Sequence, residues 1–231
     1  MKLLAVDTTS RGCSAALFVD GQVTERFELA PRGHTRLLMP MVRALLAEAG
    51  MAVADLDALG FACGPGSFTG LRIATGVIQG LAWGAGIPVV PVSSLQAMAL
   101  QSVENSEAAE GARVAVAFDA RMDEVYWGCF ELRDGWPEPL AAEGVCAPEK
   151  VSLPDVAGAW QGAGDGWTLQ ARMPESVVSA MSRIDDDMVP RAAQVARLAA
   201  RGYQKGLQVA PEQAQPVYVR DEVTWQKLPG R

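Results

Sequence analysis

The sequence predicts an α/β protein built from two similar halves. Three observations carry that expectation. A block of short apolar strand, terminal aspartate, polar turn, second strand and Asp-Gly occurs twice, over residues 2–21 and again over 113–135. Helix-like and strand-like runs alternate after the first block, the pattern of helices packed on a largely parallel sheet. The polar, small segment ENSEAAEG at 104–111 separates the two copies. Two such halves face each other across a cleft, with an aspartate at a strand end opening onto it from each side.

In the first copy, KLLAVD (2–7) is a short apolar strand closing on Asp7, followed by the turn-rich TTSRG. CSAALFV (13–19) and QVTERFEL (22–29) read as strands joined by Asp20-Gly21. Asp-Gly between strand-like runs signals a hairpin because both turn residues need positive φ. A helix over about 35–49, a strand over 57–63, the loop GPGSFTGLR at 64–72, a helix over 70–84, a strand over 87–92 and a helix over about 93–103 complete this half. In the second copy RVAVAFD (113–119) ends on Asp119, ARMDE turns, VYWGCFEL returns, and Asp134-Gly135 leads into WPEPL. The aspartate-to-hairpin spacing is 13 residues in the first copy and 15 in the second. AWQGAGDGW (159–167) reads as a strand entering a glycine-rich turn. VPRAAQVARLAARGYQKG (189–206) is an amphipathic helix, with Ala192, Val195, Ala196, Leu198 and Ala199 inward and Arg191, Arg197, Arg201 and Lys205 outside. The expected domains are 1–107, completed by the tail 210–231, and a smaller 108–209.

Composition excludes several function classes. Of 231 residues, 49% are hydrophobic and 20% charged, which suits a packed soluble globule. The balance is acidic, 27 Asp and Glu against 20 Lys and Arg, and no basic cluster is present, so contact with nucleic acid is expected only through a partner. Cys13, Cys63, Cys129 and Cys146 form no C-x-x-C pair and His34 is the single histidine, which leaves a zinc site almost no material. The N-terminus carries too short an apolar run for a signal peptide, and no stretch reaches the ~18 apolar residues of a membrane span. A cytoplasmic protein without membrane contact is expected.

The loop at 64–72 fails both phosphate-binding patterns. A Walker A loop needs G-x-x-x-x-G-K-[ST], but Gly64 and Gly70 are six apart and Leu71 stands where lysine belongs. A dinucleotide loop needs G-x-G-x-x-G, and Thr69 occupies its last glycine position. What remains is a tight strand-to-helix turn capped by Ser67 or Thr69, with anion binding at the helix N-terminus as the weaker reading. The helix that follows places Gly76, Gly80 and Gly84 four apart on one face. Each interior glycine costs a helix roughly 0.8–1 kcal/mol against alanine, so three of them imply a compensating close contact. The preceding helix is apolar nearly all round, with Pro40 expected to kink it or mark a late start. A second buried face on these helices is best supplied by another subunit. The candidate interface is Leu37, Leu38, Met41, Val42, Leu45, Arg72, Thr75, Gly76, Gln79, Gly80 and Trp83.

LLAVDTTSRGCSAAL, the run from Pro31 to Thr35, GPGSFTGLRIATGVIQGLA, PVVPVSSL, FDARMDEVYW and PVYVRDEVTWQKLPG together resemble the TsaB (YeaZ) family over essentially the whole chain. The resemblance implies an ASKHA (actin/sugar-kinase/Hsp70-like) fold of two RNase H-like halves. It implies a partner of the paralogous TsaD which, with the ATPase TsaE, installs threonylcarbamoyl on the adenosine beside the anticodon of ANN-decoding tRNAs, the donor being threonylcarbamoyl-adenylate. A homodimer is the expected state alone and a heterodimer with TsaD in the complex. Where the paralogue carries a metal-binding H-x-x-x-H, this chain has Ser94 and Met98, poor substitutes for two imidazoles. No metal, no catalytic residue and no cofactor of its own are therefore expected, with ATP or ADP only at the junction with partners. Nor is there an H-E-x-x-H or a Ser/His/Asp set for a protease.

Asp7, Thr8, Thr9, Ser10, Gly64, Gly66, Ser67, Asp119 and Arg121 form the candidate vestigial phosphate or cleft set. The competing reading is an ASKHA-type ATPase or kinase acting through Asp7 and Asp119. The bland role of the same residues is turn formation and helix capping. Asp119, Arg121, Asp123 and Glu124 make either a cleft-facing cluster or surface ion pairs, and Tyr218, Arg220 and Trp225 are candidates to pin the tail onto the body.

Overall fold

Both Asp-Gly dipeptides form the tight turns their chemistry favours, with φ of 49° and 94° at Asp20-Gly21 and 52° and 75° at Asp134-Gly135. The computed structural model describes residues 1–30, 32–156 and 158–219. Around the first turn, β1 (Lys2–Asp7), β2 (Gly12–Val19) and β3 (Gln22–Leu29) pair antiparallel. β4 (Ala58–Gly64) and β5 (Val89–Ser93) add in parallel, giving the order β3-β2-β1-β4-β5. β4 is buried throughout and reads as an unbroken small-apolar run, whereas the edge strand β3 alternates exposed and half-buried residues. α1 (His34–Glu48) and α2 (Phe68–Ala85) cover one face, where Leu38, Val42, Leu45, Ala74 and Ile78 meet Leu4, Val6, Leu59 and Phe61. α1 runs through Pro40, so the proline neither delays its start nor ends it.

The second half repeats the plan. β6 (Arg113–Arg121), β7 (Glu124–Arg133) and β8 (Trp136–Pro139) form the meander, and β9 (Gly144–Cys146) also pairs with β7. β10 (Trp160–Ala163) and β11 (Met181–Asp185) extend the sheet in parallel, so β8-β7-β6-β10-β11 matches β3-β2-β1-β4-β5 position for position. Two sheets of one strand order bear out the duplicated α/β plan that the sequence predicts. Among the described residues no long helix covers the outer face of this sheet. It is closed by Trp127, Trp160 and Trp167 beneath a 3₁₀ segment (Asp165–Arg172) and the single-turn α4 (Glu175–Val178).

Between the sheets lie α3 (Ser94–Asn105) and α5 (Ala192–Gln204), whose Leu95, Met98, Val195 and Ala199 share one core with both inner faces. The placement of α5 corrects the division at 108–209, because α5 packs on β1, β2 and β4 of the first half. Its small face permits this: a Cβ on Gly60 of β4 would stand 2.7 Å from the Ala199 Cβ, so helix and strand approach as closely as alanine and glycine allow. Its basic face is also not simply outside. Arg191 pairs with Glu25, Arg197 with Glu104, and Arg201 with Glu138, so each cation ties α5 to a neighbouring element. The described part of the tail follows the first half: Val209 bridges to Val89, and the Val217 amide donates to Cys63 O. Arg220 and Trp225 lie outside the described residues.

Candidate functional site

Asp7 ends β1 with 1% of its surface exposed. Its Oδ1 accepts from the Thr9 amide at 2.8 Å and the Thr9 hydroxyl at 2.7 Å, while Oδ2 has no partner among the described residues. Burial pushes this carboxyl up from its ordinary value against the two Thr9 hydrogen bonds. The loop after β4 is bonded directly to the loop after β1. Ser67 N donates to Thr9 O at 2.7 Å, and the Thr8 hydroxyl donates to Gly70 O at 2.7 Å. A Cβ on Gly66 would stand 2.6 Å from Thr9 O, and one on Gly70 only 1.8 Å from Thr8 O. These glycines therefore let two backbones touch, and the space between the loops is taken by the chain itself. Gly64, at φ 124°, opens the turn with its Cβ position 2.7 Å from Val217 O. Ser67, not Thr69, caps α2 by accepting from Gly70 N, and the Ser10 hydroxyl accepts from Gly12 N.

The second half builds the same junction with other residues. Asp119, at the end of β6, accepts from the Arg121 amide and guanidinium at 2.8 Å each. Arg121, Met122 and Asp123 take φ of 62°, 56° and 59°, three successive left-handed residues at the hairpin tip. The Asp119 amide donates to Asp165 Oδ1 at 3.0 Å, and burial raises the Asp165 carboxyl. Gly164 and Gly166 press against the Ala117–Phe118 backbone as Gly66 and Gly70 press against Thr8–Thr9. The sequence reading missed Asp165. Its signal is positional: GAGDG runs out of the end of β10 as GPGSF runs out of the end of β4.

Ser94 and Met98 both have structural partners. Ser94 is buried and donates to Pro65 O, which ties α3 to the loop before α2, and Met98 lies in the shared core. His34 is buried with Nε2 3.1 Å from Gly12 O. Among the described residues no His, Cys, Asp and Glu side chains group in a way that could hold a metal ion.

The outward side of α2 is a different kind of surface. Cβ atoms placed on Gly76, Gly80 and Gly84 would meet nothing within 4 Å. At one end of this stripe Trp83 is 70% exposed, and at the other Phe68 is 54% exposed beneath the Arg72 guanidinium, 3.8 Å above its ring. Tyr218 lies with its ring centroid 5.6 Å from that of Phe68. Leu37 and Met41 are half-buried beside this face, and Gln79 donates to Ala214 O. Four candidate interface residues are corrected: Leu38, Val42, Leu45 and Thr75 are buried within their own subunit. They point into the sheet because α1 and α2 each give one full stripe to the core, and overall apolarity does not say which stripe. Phe68 was missed although it continues the 72, 76, 80, 84 spacing, whereas Tyr218, a candidate to pin the tail onto the body, does lie against Phe68.

A family profile described as "TsaD: tRNA N6-adenosine threonylcarbamoyltransferase" matches residues 27–227. "tRNA threonylcarbamoyladenosine biosynthesis protein TsaB" of Escherichia coli is 39% identical over 100% of both chains. Its Haemophilus influenzae namesake is 38% identical over 100% of this chain and 98% of its own. The solved structure "YeaZ from Pseudomonas aeruginosa" superposes with a TM-score of 0.88 at 44% identity, covering 94% of this chain and 99% of that one. A match to a profile named for the transferase, joined to full-length likeness to proteins named TsaB, shows where the chain belongs: it is a member of the TsaB (YeaZ) family of tRNA threonylcarbamoyladenosine biosynthesis proteins.

Proposed function

We propose that this chain is a non-catalytic partner subunit of TsaD, acting with the ATPase TsaE in the transfer of threonylcarbamoyl from threonylcarbamoyl-adenylate to the adenosine beside the anticodon of ANN-decoding tRNAs. The observation that carries the reading is the outward side of α2, where three glycines face open space between an exposed tryptophan and an exposed phenylalanine. A helix that bears the cost of three glycines without an internal contact is suited to receive another backbone closely. The partner subunit supplies that backbone, and a second copy of this chain does so when the partner is absent. tRNA contact belongs to the partners, in keeping with a formal net charge of -7. Any ATP or ADP sits where partners complete a site. An ATPase acting alone through Asp7 and Asp119 is disfavoured by the direct bonding of the 8–9 and 66–70 loops, which occupies the ground a phosphate would need.

Reconstitution of the modification with and without this chain, at fixed partners and donor, tests the proposal, and full activity on omission would overturn it. Gly80→Leu tests the face. The side chain enters open space, so the isolated chain folds and gains roughly 0.8 kcal/mol of helix propensity, yet co-elution with TsaD is lost. Undiminished co-elution sinks the interface assignment. Calorimetry of the isolated chain with Mg-ATP should show neither tight binding nor turnover.

A further inference from the structure

Among the described residues Arg32, Arg36, Arg43 and Arg72 are the arginines without an acidic partner, and every other described arginine pairs with an Asp or Glu. The unpaired ones are all exposed and all lie on one side of the molecule. Arg32 stands just ahead of α1, Arg36 and Arg43 lie on it, and Arg72 is early in α2. Arg36, Pro40, Arg43 and Ala47 are exposed at helical spacing, so they form the outward stripe of α1, opposite the buried Leu38, Val42 and Leu45. The acid on these two helices, Glu48, is already bound to Arg26 of β3. A chain of formal net charge -7 thus gathers its uncompensated guanidiniums on the α1–α2 face.

Such a face is poorly suited to itself. We propose that it selects a protein partner carrying carboxylates opposite Arg36, Arg43 and Arg72, and selects against a second copy of this chain. The inference rests on the reading that this face receives TsaD, and adds the chemistry of the surface that fits it. In a two-fold contact between copies the same patch stands on both sides. The arginines of one copy then meet those of the other with no free acid from α1 or α2 between them. Like charges across an interface cost affinity, whereas a carboxylate accepts two parallel N–H bonds from one guanidinium. A nucleic acid suits the face less well. Beside the cations lie the open glycine stripe, the exposed Trp83 and the half-buried Leu37 and Met41, an apolar surface that side chains cover and phosphates do not.

Sedimentation of the full chain, alone and with TsaD, from about 50 to about 500 mM NaCl tests the selection. The Kd of the TsaD complex should rise about tenfold over that range, because salt screens the attraction. Self-association should hold level or strengthen, because there salt screens a repulsion, and a chain that stays monomeric at every salt meets the same expectation. The double variant Arg36→Gln, Arg43→Gln changes only exposed side chains. It should weaken the TsaD complex about tenfold and leave self-association no weaker, while Arg36→Lys, Arg43→Lys keeps most of the affinity. Thermal melts establish that both variants are folded. If TsaD fails to bind the wild-type chain at any salt, the partner reading falls and the inference with it. If TsaD binds with a Kd that neither salt nor the glutamine variant moves by more than about twofold, the partner reading stands and the inference is overturned. Equal losses of self-association and of TsaD binding in the glutamine variant also overturn it, as does tRNA binding by the isolated chain that this variant abolishes.

Discussion

The two sheets share a strand order but differ in what closes their outer faces. The first is covered by α1 of 15 residues and α2 of 18 residues, the second by an eight-residue 3₁₀ segment, a four-residue α4 and three indoles. An indole laid on a sheet buries a large apolar area with few residues and has no further side to offer. A helix covers the sheet with one stripe and presents the opposite stripe outward. The half sealed with helices therefore keeps an outward stripe, the one proposed to meet a partner. The second half is sealed on itself.

Trp167→Ala gives the largest expected break in this comparison. Trp167 is fully buried and donates from Nε1 to Ala115 O at 2.9 Å. Its loss should cost about 3–5 kcal/mol in chemical denaturation, and a cost below 1 kcal/mol would mean the second face is not held by its indoles. The glycine junctions come next. Gly70→Ala forces a Cβ to 1.8 Å from a carbonyl oxygen, while Gly166→Ala meets its nearest atom at 2.8 Å. We expect about 2–3 kcal/mol for the first and less for the second, and equal effects would show that the two junctions are equivalent in tightness.

A smaller effect separates the two strand-end aspartates. Burial raises the Asp7 carboxyl, so the folded state holds its proton more tightly than the unfolded chain does. That stability is present below the ordinary carboxylate range and is lost as pH rises through the raised value. Asp7→Asn keeps an acceptor for Thr9 and removes the charge. Its melting temperature should exceed wild type by about 2–5 °C near neutrality and converge with it in acid. A variant less stable than wild type at neutral pH would show that the charge itself is satisfied. Arg121→Ala is the smallest: the side chain is 86% exposed and its ion pair is with the neighbouring Asp119. A stability change within about 1 kcal/mol is expected, so loss of tRNA modification in this variant would assign the strained hairpin tip a role in the complex.

Much of this was legible in the chain. Asp-Gly at 20–21 and 134–135 specifies a hairpin through its own φ preferences, and the repeat of aspartate, turn and hairpin gave away the duplication. The glycine stripe of α2 was legible because helix propensity makes an interior glycine costly wherever it occurs. Other features were not. Leu38 and Leu37 are adjacent and alike in sequence, yet only Leu38 is fully buried, since the choice of stripe depends on where β1 and β4 lie. Gly66 and Gly70 read as turn and anion-binding residues, but the atoms they avoid are Thr9 O and Thr8 O, some sixty positions away in the chain.

The sequence by itself determined the elements of the first half, both hairpins, α5, their repeat and the family, because backbone propensity, turn chemistry and hydrophobic period act over a few residues. Only the tertiary structure decided that α5 leaves its own half to pack on the first sheet and that the strand-end loops close on each other. Those outcomes depend on which distant surfaces come within contact distance, and no local pattern encodes that distance.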